Sequence, residues 1–476
     1  MRALKHLDVH CLADTATLLA EGGDARIAIK SGRNEYGCTV LPDPGLLEFG
    51  SSTASTISEA AFDAADALRE RLNEGADCKG EFDRIRREFS ERCELDGNTV
   101  LFAPSGTDVH LIASQLTAPH LVVMAQASET GRGVPDALSR RHFSSGQAHG
   151  KRPVKGVPLA DGALTALSCI DVRDAQGHPI DSDRIDEEFA ESVALGLAGG
   201  KKVLLVLTDV SKTGMIVPSI ACALRLKAQY GETLEVLVDA CQFRMAPSTL
   251  NAYLQKGFMV AVTGSKFLTG PTFSGALVIP GCVGLKRPNA ELVLYASSHE
   301  WQGDPGVGDN VGLLLRWEAA MTELRAFQSV PAFEVARFLQ DFSKAVTARL
   351  EEDPRFVPIA VPEIDRSALC PAASWDNIQT IFPFRLNMKG KMLEMHEAKI
   401  VHEMLRQDLS ALSSHEAASM RCTLGQPVAS GALRICSSAR LVVEGVKKGN
   451  AAIDRALAAL DKLAVALDLG QLSERK

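Results

Sequence analysis

Aromatic side chains are scarce in this chain, with 4 Tyr and 3 Trp among 476 residues. Stacking platforms for single-stranded nucleic acid are therefore poorly supplied. Positive charge is in deficit too. Lys and Arg total 51 against 59 Asp and Glu, a formal net charge of −8. That balance argues against nucleic acid or an anionic membrane as a partner. No two of the 11 cysteines stand in a C-x-x-C spacing, so a zinc ribbon or a thioredoxin-like motif is not expected. An odd, scattered set fits reduced thiols and a cytoplasmic protein. Long hydrophobic runs are also missing. The most apolar strand-like stretch, Val203 to Leu207, is far too short to span a bilayer. Asp8, Asp14, Glu21 and Asp24 near the N-terminus are wrong for a signal or transit peptide.

What is present reads as an α/β enzyme subunit. Hydrophobic residues make up 46% and charged residues 23%, ordinary values for a globular protein. No repeat period is visible. A helix is expected from Ser58 to Asn73 and a charge-rich one from Gly80 to Phe89. Short apolar runs then alternate with helical patterns: "VLFA" (Val100–Ala103), "HLVVMAQ", "KKVLLVLTDV", "LEVLVDA", "FMVAVTGS" and "SGALVIP". This alternation predicts a mainly parallel sheet flanked by helices. The division expected is an N-terminal segment (1–57), a large α/β domain (58–320) and a smaller α+β C-terminal domain (321–476). A polar stretch at 129–162 reads as an inserted loop or flap. In the C-terminal part "TIFPFRL" and "ALRICSSARLVV" read as strands.

Three short pieces carry chemistry. "VDACQ" places Asp239 at a strand end, where α/β proteins bind ligands. "VTGSKFLTGP" places Lys266 just past another strand, beside Thr263 and Ser265. "APSGTDVH" puts Ser105, Gly106 and Thr107 at a helix N-terminus, where free N–H groups and hydroxyls favour an anion. Singly, each has a plainer account as a cap, a turn or a solvated lysine. Their order changes that.

The arrangement resembles the fold-type-I enzymes of pyridoxal 5′-phosphate (PLP), and within them the class V aminotransferase family, which includes the cysteine desulfurases. The motifs are Asp239-Ala240-Cys241-Gln242, then Thr263-Gly264-Ser265-Lys266, then Gly270-Pro271. The resemblance covers about Val100 to Gly312, and the C-terminal part more loosely. It implies a seven-stranded sheet in the large domain. It also implies that Lys266 holds PLP as a Schiff base and that Asp239 pairs with the ring nitrogen. Gln242 and Ser211 would contact the ring oxygen. Ser105, Gly106, Thr107, Thr263 and Ser265 would cradle the phosphate, a job for neutral donors that suits an acidic chain. Ser265 stands where the family usually has His. The position of the family's ring-stacking aromatic offers only Glu129 or Thr130, with His142 further on.

Arg434 matches the arginine that grips the substrate carboxylate, a task suited to a planar guanidinium; Arg440 is a competitor. Asn34 and Tyr36 could line the site or simply make a turn. "GDPGVGDNVG", Gly303 to Gly312, resembles the loop that reaches a neighbouring subunit's phosphate, with Val307 or Gly308 in place of Thr. That implies a homodimer with shared active sites. The reaction implied is transamination of an α-amino acid, the alternative being carbon–sulfur cleavage with Cys422, which precedes Arg434, as nucleophile.

Overall fold

The computed structural model describes residues 12–150, 152–159, 164–281, 291–301, 308–370, 372, 374–428 and 430–473. Its centre is one sheet of seven main strands: β1 (Thr99–Ala103), β2 (Leu121–Ala125), β3 (Ala166–Ile170), β4 (Val203–Asp209), β5 (Leu234–Ala240), β6 (Met259–Thr263) and β7 (Gly275–Ile279). The order across it is β1-β7-β6-β5-β4-β2-β3. An eighth, two-residue strand, Ile216–Val217, pairs antiparallel with the end of β4. β7 runs antiparallel to both its neighbours. The pairings of β6, β5, β4, β2 and β3 are all parallel. Every residue of β4 is buried, as expected for a strand covered by helices on both faces.

Local chemistry sets the helix ends. Ser58 caps the Glu59–Asn73 helix by accepting from Ala61 N, and Asp77 caps Cys78–Arg92 through Gly80 N. Gly231, at φ +54°, closes the Ile220–Tyr230 helix. One expectation needs correction. "ALRICSSARLVV" is a strand only over Leu433–Cys436. Ser438 then caps a helix, Ala439–Lys448, that buries Leu441, Val442 and Gly445. Gly445 lies so close to Phe338 that a Cβ would stand 2.1 Å from its ring. Helical spacing of the buried positions overrides the β-branched pair Val442–Val443.

The C-terminal part forms a small sheet in which Ile381–Met388 pairs with Phe356–Pro358, Lys391–Met392 and Leu433–Cys436. The N-terminal segment is stitched to it, since Leu47–Phe49 runs parallel to Cys422–Leu424. Position 320 falls inside the Val311–Gln328 helix, which packs along Glu59–Asn73. In the 129–162 stretch, Val134–Leu138 is a short helix, and residues 140–142 return against 156–159 through His142 N to Val157 O and Leu159 N to Arg140 O. Positions 151 and 160–162 of it lie outside the described residues.

A buried ion pair locks the C-terminal part onto the end of β4. Arg366 donates to Asp209 through Nε at 3.0 Å and Nη2 at 2.5 Å, and Tyr253 donates to the same carboxylate at 2.7 Å. Asp209 and Arg366 are each 1% exposed. Removing one member leaves the other charged and unpaired, which costs about 3–5 kcal/mol. Asp209→Ala is therefore expected to unfold at clearly lower urea concentration than the parent, whereas Asp341→Ala, at an exposed helix carboxylate, should unfold close to where the parent does.

Candidate active site

The segments that follow β1, β5 and β6 meet, since a Cβ on Gly106 would stand 2.6 Å from Cys241 Sγ and 3.3 Å from Thr263 Cγ2. Asp239 lies at the end of β5 and is 6% exposed. One carboxylate oxygen accepts from Cys241 N at 3.2 Å, and the other lies 3.3 Å from His110 Nε2. His110 is held by its second nitrogen, 2.6 Å from the Gly106 carbonyl one turn earlier. A carbonyl only accepts, so Nδ1 carries a proton. Burial alone would raise the Asp239 pKa, but the charge and hydrogen bond of His110, with the Lys266 charge, hold it well below the usual range. Burial lowers the His110 pKa, and Asp239 more than restores it, leaving a net rise. Each group thus favours the charged form of the other across a 3.3 Å contact. Sequence reading passed over His110, although its position four residues after Gly106 places it over the helix start.

Lys266 follows β6 and is half-buried. Its loop has no slack. A Cβ on Gly264 would stand 2.6 Å from Ala320, and one on Gly270 would be 2.8 Å from the same side chain. Phe267 N donates to Gln242 O, and Phe267 O accepts from Ala439 N. Thr263 Oγ1 donates to Cys241 O at 2.7 Å, and Ser265 Oγ lies 3.4 Å from Thr263 Oγ1.

Ser105 caps the Gly106–Thr117 helix. Its hydroxyl makes a 2.5 Å bond to Asp108 and lies 3.3 Å from Arg26 Nη2. Arg26 also reaches Thr107 Oγ1 at 3.5 Å, pairs with Asp24 at 2.5 Å and donates to the Tyr36 hydroxyl at 3.1 Å. Burial and the Asp24 charge push the Asp108 carboxyl up to about 7. Arg26 was not foreseen, because nothing local ties residue 26 to residue 105. Tyr36 reaches the site through Arg26. Asn34 serves the turn, accepting from Tyr36 N and Cys38 N and donating to Thr272.

Glu129 is occupied by its own shell. Arg173 Nε donates to it at 2.9 Å, and the Ser211 and Thr213 hydroxyls each donate at 2.6 Å. Thr130 is buried, and its hydroxyl has no partner. Gln242 donates to Ser52 O and accepts from Arg244. Arg434 is 2% exposed. It spends Nε on Ser52 and Nη2 on Thr53, while Nη1 is buried without a partner. Arg440 is committed elsewhere, to Glu48, Glu323 and the Thr269 carbonyl. His142 is docked on Tyr295, with Nδ1 2.6 Å from the hydroxyl.

Cys422 departs from expectation. It is fully buried in the strand paired with Leu47–Phe49, and burial pushes its thiol up to about 12, against the pull of Lys462 and Arg406. A protonated thiol inside a strand pair is no nucleophile. Of the Gly303–Gly312 loop, positions 303–307, Val307 included, lie outside the described residues; Gly308 is exposed.

The polar groups fit PLP. Anionic Asp239 suits a protonated ring nitrogen. A helix N-terminus with Arg26 beside it suits a phosphate. Two buried polar atoms, Thr130 Oγ1 and Arg434 Nη1, have no protein partner, as expected where a polar ligand completes a site.

No family model matches the chain, and no curated protein matches it in sequence. Solved structures do match in fold. The NifS-like protein of Rickettsia africae shares 11% identity at a TM-score of 0.52, over 88% of this chain and 99% of that one. A lysine-to-alanine mutant of C-DES with glycine covalently linked to its PLP cofactor shares 14% at 0.52, over 88% and 99%. Mouse CSAD shares 14% at 0.51, over 88% and 83%. The fold is thus that of the fold-type-I PLP enzymes.

Lys212 is the third unforeseen group. Burial, then the charges of Arg434, Lys266 and Arg132, lower its pKa to about 7, with Glu129 opposing. Several cations facing one cleft ask for an anionic ligand. Competitive acetylation read by mass spectrometry should show Lys212 reacting with a midpoint near neutral pH. Arg434→Ala removes a like charge and should move that midpoint upward; no movement would mean that burial alone sets it.

Proposed function

We propose that this chain is a PLP-dependent enzyme acting on an α-amino acid, with Lys266 as the covalent anchor and aminotransferase-type chemistry. One observation carries the reading. Asp239, backed by His110, and Lys266 stand past neighbouring parallel strands β5 and β6, whose register pairs Asp239 with Ala261 and Ala240 with Val262. A carboxylate held well below its usual pKa and a lysine therefore stand at adjacent strand ends, close enough for the Lys266 charge to act on Asp239.

When bound, PLP supplies an electron sink for the substrate's α-carbon. The protein's own groups do the rest. Asp239 stays ionised and balances a proton on the ring nitrogen, and His110 keeps it so. Ser105, Gly106, Thr107, Thr263 and Ser265 hold the phosphate, and Arg26 adds a charge there. Ser211 and Gln242 would have to give up bonds to Glu129 and Ser52 to contact the ring oxygen, whereas the Thr130 hydroxyl has no partner to give up. Arg434, its fork fixed by Ser52 and Thr53, presents Nη1 to the substrate carboxylate. Lys266 Nζ would be the base for the proton on the substrate's α-carbon, which is all that transamination would demand of the protein. The buried Cys422 thiol speaks against a persulfide route. Among the described residues, Cys241 and Cys436 are also buried. A cytoplasmic homodimer with shared active sites belongs to the same proposal.

Purified protein should be yellow, and borohydride should bleach it and fix the cofactor to Lys266. A chain that stays colourless with added PLP would overturn the assignment. An amino-acid panel followed for pyridoxamine phosphate, pyruvate and sulfide decides the reaction, since pyridoxamine phosphate marks transamination and sulfide or pyruvate marks a lyase.

Arg434→Ala should raise KM on the order of 100-fold with PLP retained, and Arg434→Lys should restore little of it. His110→Ala removes the group that depresses the Asp239 pKa while leaving the carboxylate buried. Asp239 then protonates at higher pH, so the acid limb of cofactor retention should move up; an unmoved limb would make His110 merely structural.

A further inference from the structure

Outside the pocket, three elements bring a thiol, an imidazole and a carboxylate together. Cys78 is the first residue of the Cys78–Arg92 helix. His299 sits in the short 3-10 turn Ser298–Glu300. Asp309 precedes Asn310, the cap of the Val311–Gln328 helix. One ligand atom from each lies within 4.8 Å of the others. We propose that Cys78, His299 and Asp309 bind one divalent transition-metal ion of the zinc type, with the fourth position open to water.

The geometry carries this in three ways. First, His299 Nε2 lies 2.6 Å from Asp309 Oδ1, yet it is a buried nitrogen without an aligned hydrogen bond. The ring nitrogen thus lacks a satisfied partner, and a separation of the pair by well under 1 Å would let both atoms face one cation at zinc-type bond lengths of about 2 Å. Second, each ligand is held by its own anchor. Asp77 caps the helix that begins at Cys78, through Gly80 N at 2.9 Å. Glu300, next to His299, pairs with Arg86 at 2.7 Å and accepts from Phe102 N at 3.0 Å. Asn310, next to Asp309, accepts from Leu313 N and donates to the Gly22 carbonyl at 2.8 Å. The cluster is thus held from strand β1, two helices and the N-terminal segment, as a preorganised metal site requires. Third, the donor types agree. Thiolate, imidazole and carboxylate together select zinc-like ions over calcium or magnesium.

The charge balance closes. Without metal, the Cys78 thiol donates to the Asp309 carboxylate. On binding, that proton leaves to solvent, the sulfur–metal bond forms, and Asp309 becomes a ligand. A thiolate, a carboxylate and a neutral imidazole around a divalent ion sum to zero, which suits a half-buried position. The ion would clip the helix at Cys78 to both ends of the segment between His299 and Asp309.

The test is cobalt and zinc titration of the chelator-treated, PLP-loaded chain, read as difference spectra. One equivalent of cobalt should produce a thiolate-to-cobalt charge-transfer band together with the strong visible bands of a four-coordinate ion. Zinc should abolish both bands and raise the thermal midpoint. Cys78→Ser should remove the charge-transfer band. His299→Gln and Asp309→Asn should each weaken cobalt binding by more than about 100-fold, beyond the effect of losing an outer-shell partner. Far-UV circular dichroism checks that each variant folds; should Cys78→Ser fail, the two other variants decide. Absence of the thiolate band in the parent chain, or folded His299→Gln and Asp309→Asn variants that bind as the parent does, would overturn the site.

Discussion

A carboxylate buried at the end of a strand needs a fixed cation, and much of this structure follows from supplying one to Asp239. The strand must be covered on both faces, or Asp239 would be solvated and titrate normally. The helix after β1 must start beside it, so that His110, held to the Gly106 carbonyl, can reach its outer oxygen. That close start needs glycine. A Cβ on Gly106 would stand 2.6 Å from Cys241 Sγ, and one on Gly275 would meet the Ser105 backbone at 2.7 Å. The glycines, the antiparallel insertion of β7 beside β1 and the histidine are parts of one arrangement.

Buried arginines perform the equivalent task for the chain's long-range order. Arg316 donates to the carbonyls of Phe273, Leu19, Glu21 and Gly22. Arg244 donates to Ser437 O and Ser51 Oγ and lies over the Phe267 ring. Neither has a carboxylate partner among these bonds, and burial lowers both pKa values, to about 9 and about 10. Each is a multi-point tie between backbone segments far apart in sequence. Through Arg316 the N-terminal segment is tied down at Leu19, Glu21 and Gly22, which explains how Arg26 comes to stand at the helix start after β1.

The site was legible where its signal is local. Asp239 and Lys266 each end an apolar run, and Ser105 begins a helix with cap chemistry, so their placement at strand ends follows from composition and spacing. Arg434 was preferred to Arg440 by position alone, and the structure separates them physically: Arg440 is consumed by Glu48 and Glu323, whereas Arg434 keeps Nη1 without a partner. His110, Arg26 and Lys212 were illegible because their meaning depends on partners distant in sequence, as in the contact of Arg26 with Thr107, 81 positions away. Cys422 misled for the converse reason. Its distance from Arg434 along the chain resembles a reactive loop, but pairing with Leu47–Phe49 turns it into core.

Patterning by itself determined the alternation of strands and helices, the mainly parallel sheet and the strand ends that carry Asp239 and Lys266. Those depend on side-chain period and on turn residues that act over a few positions. Tertiary structure alone decided which charges face each other: that Asp239 is held ionised by His110, that Glu129 is already occupied by Arg173, Ser211 and Thr213, and that "ARLVV" coils against Phe338 instead of extending. Burial and charge pairing are sums over neighbours from distant parts of the chain, and only the folded arrangement supplies those neighbours.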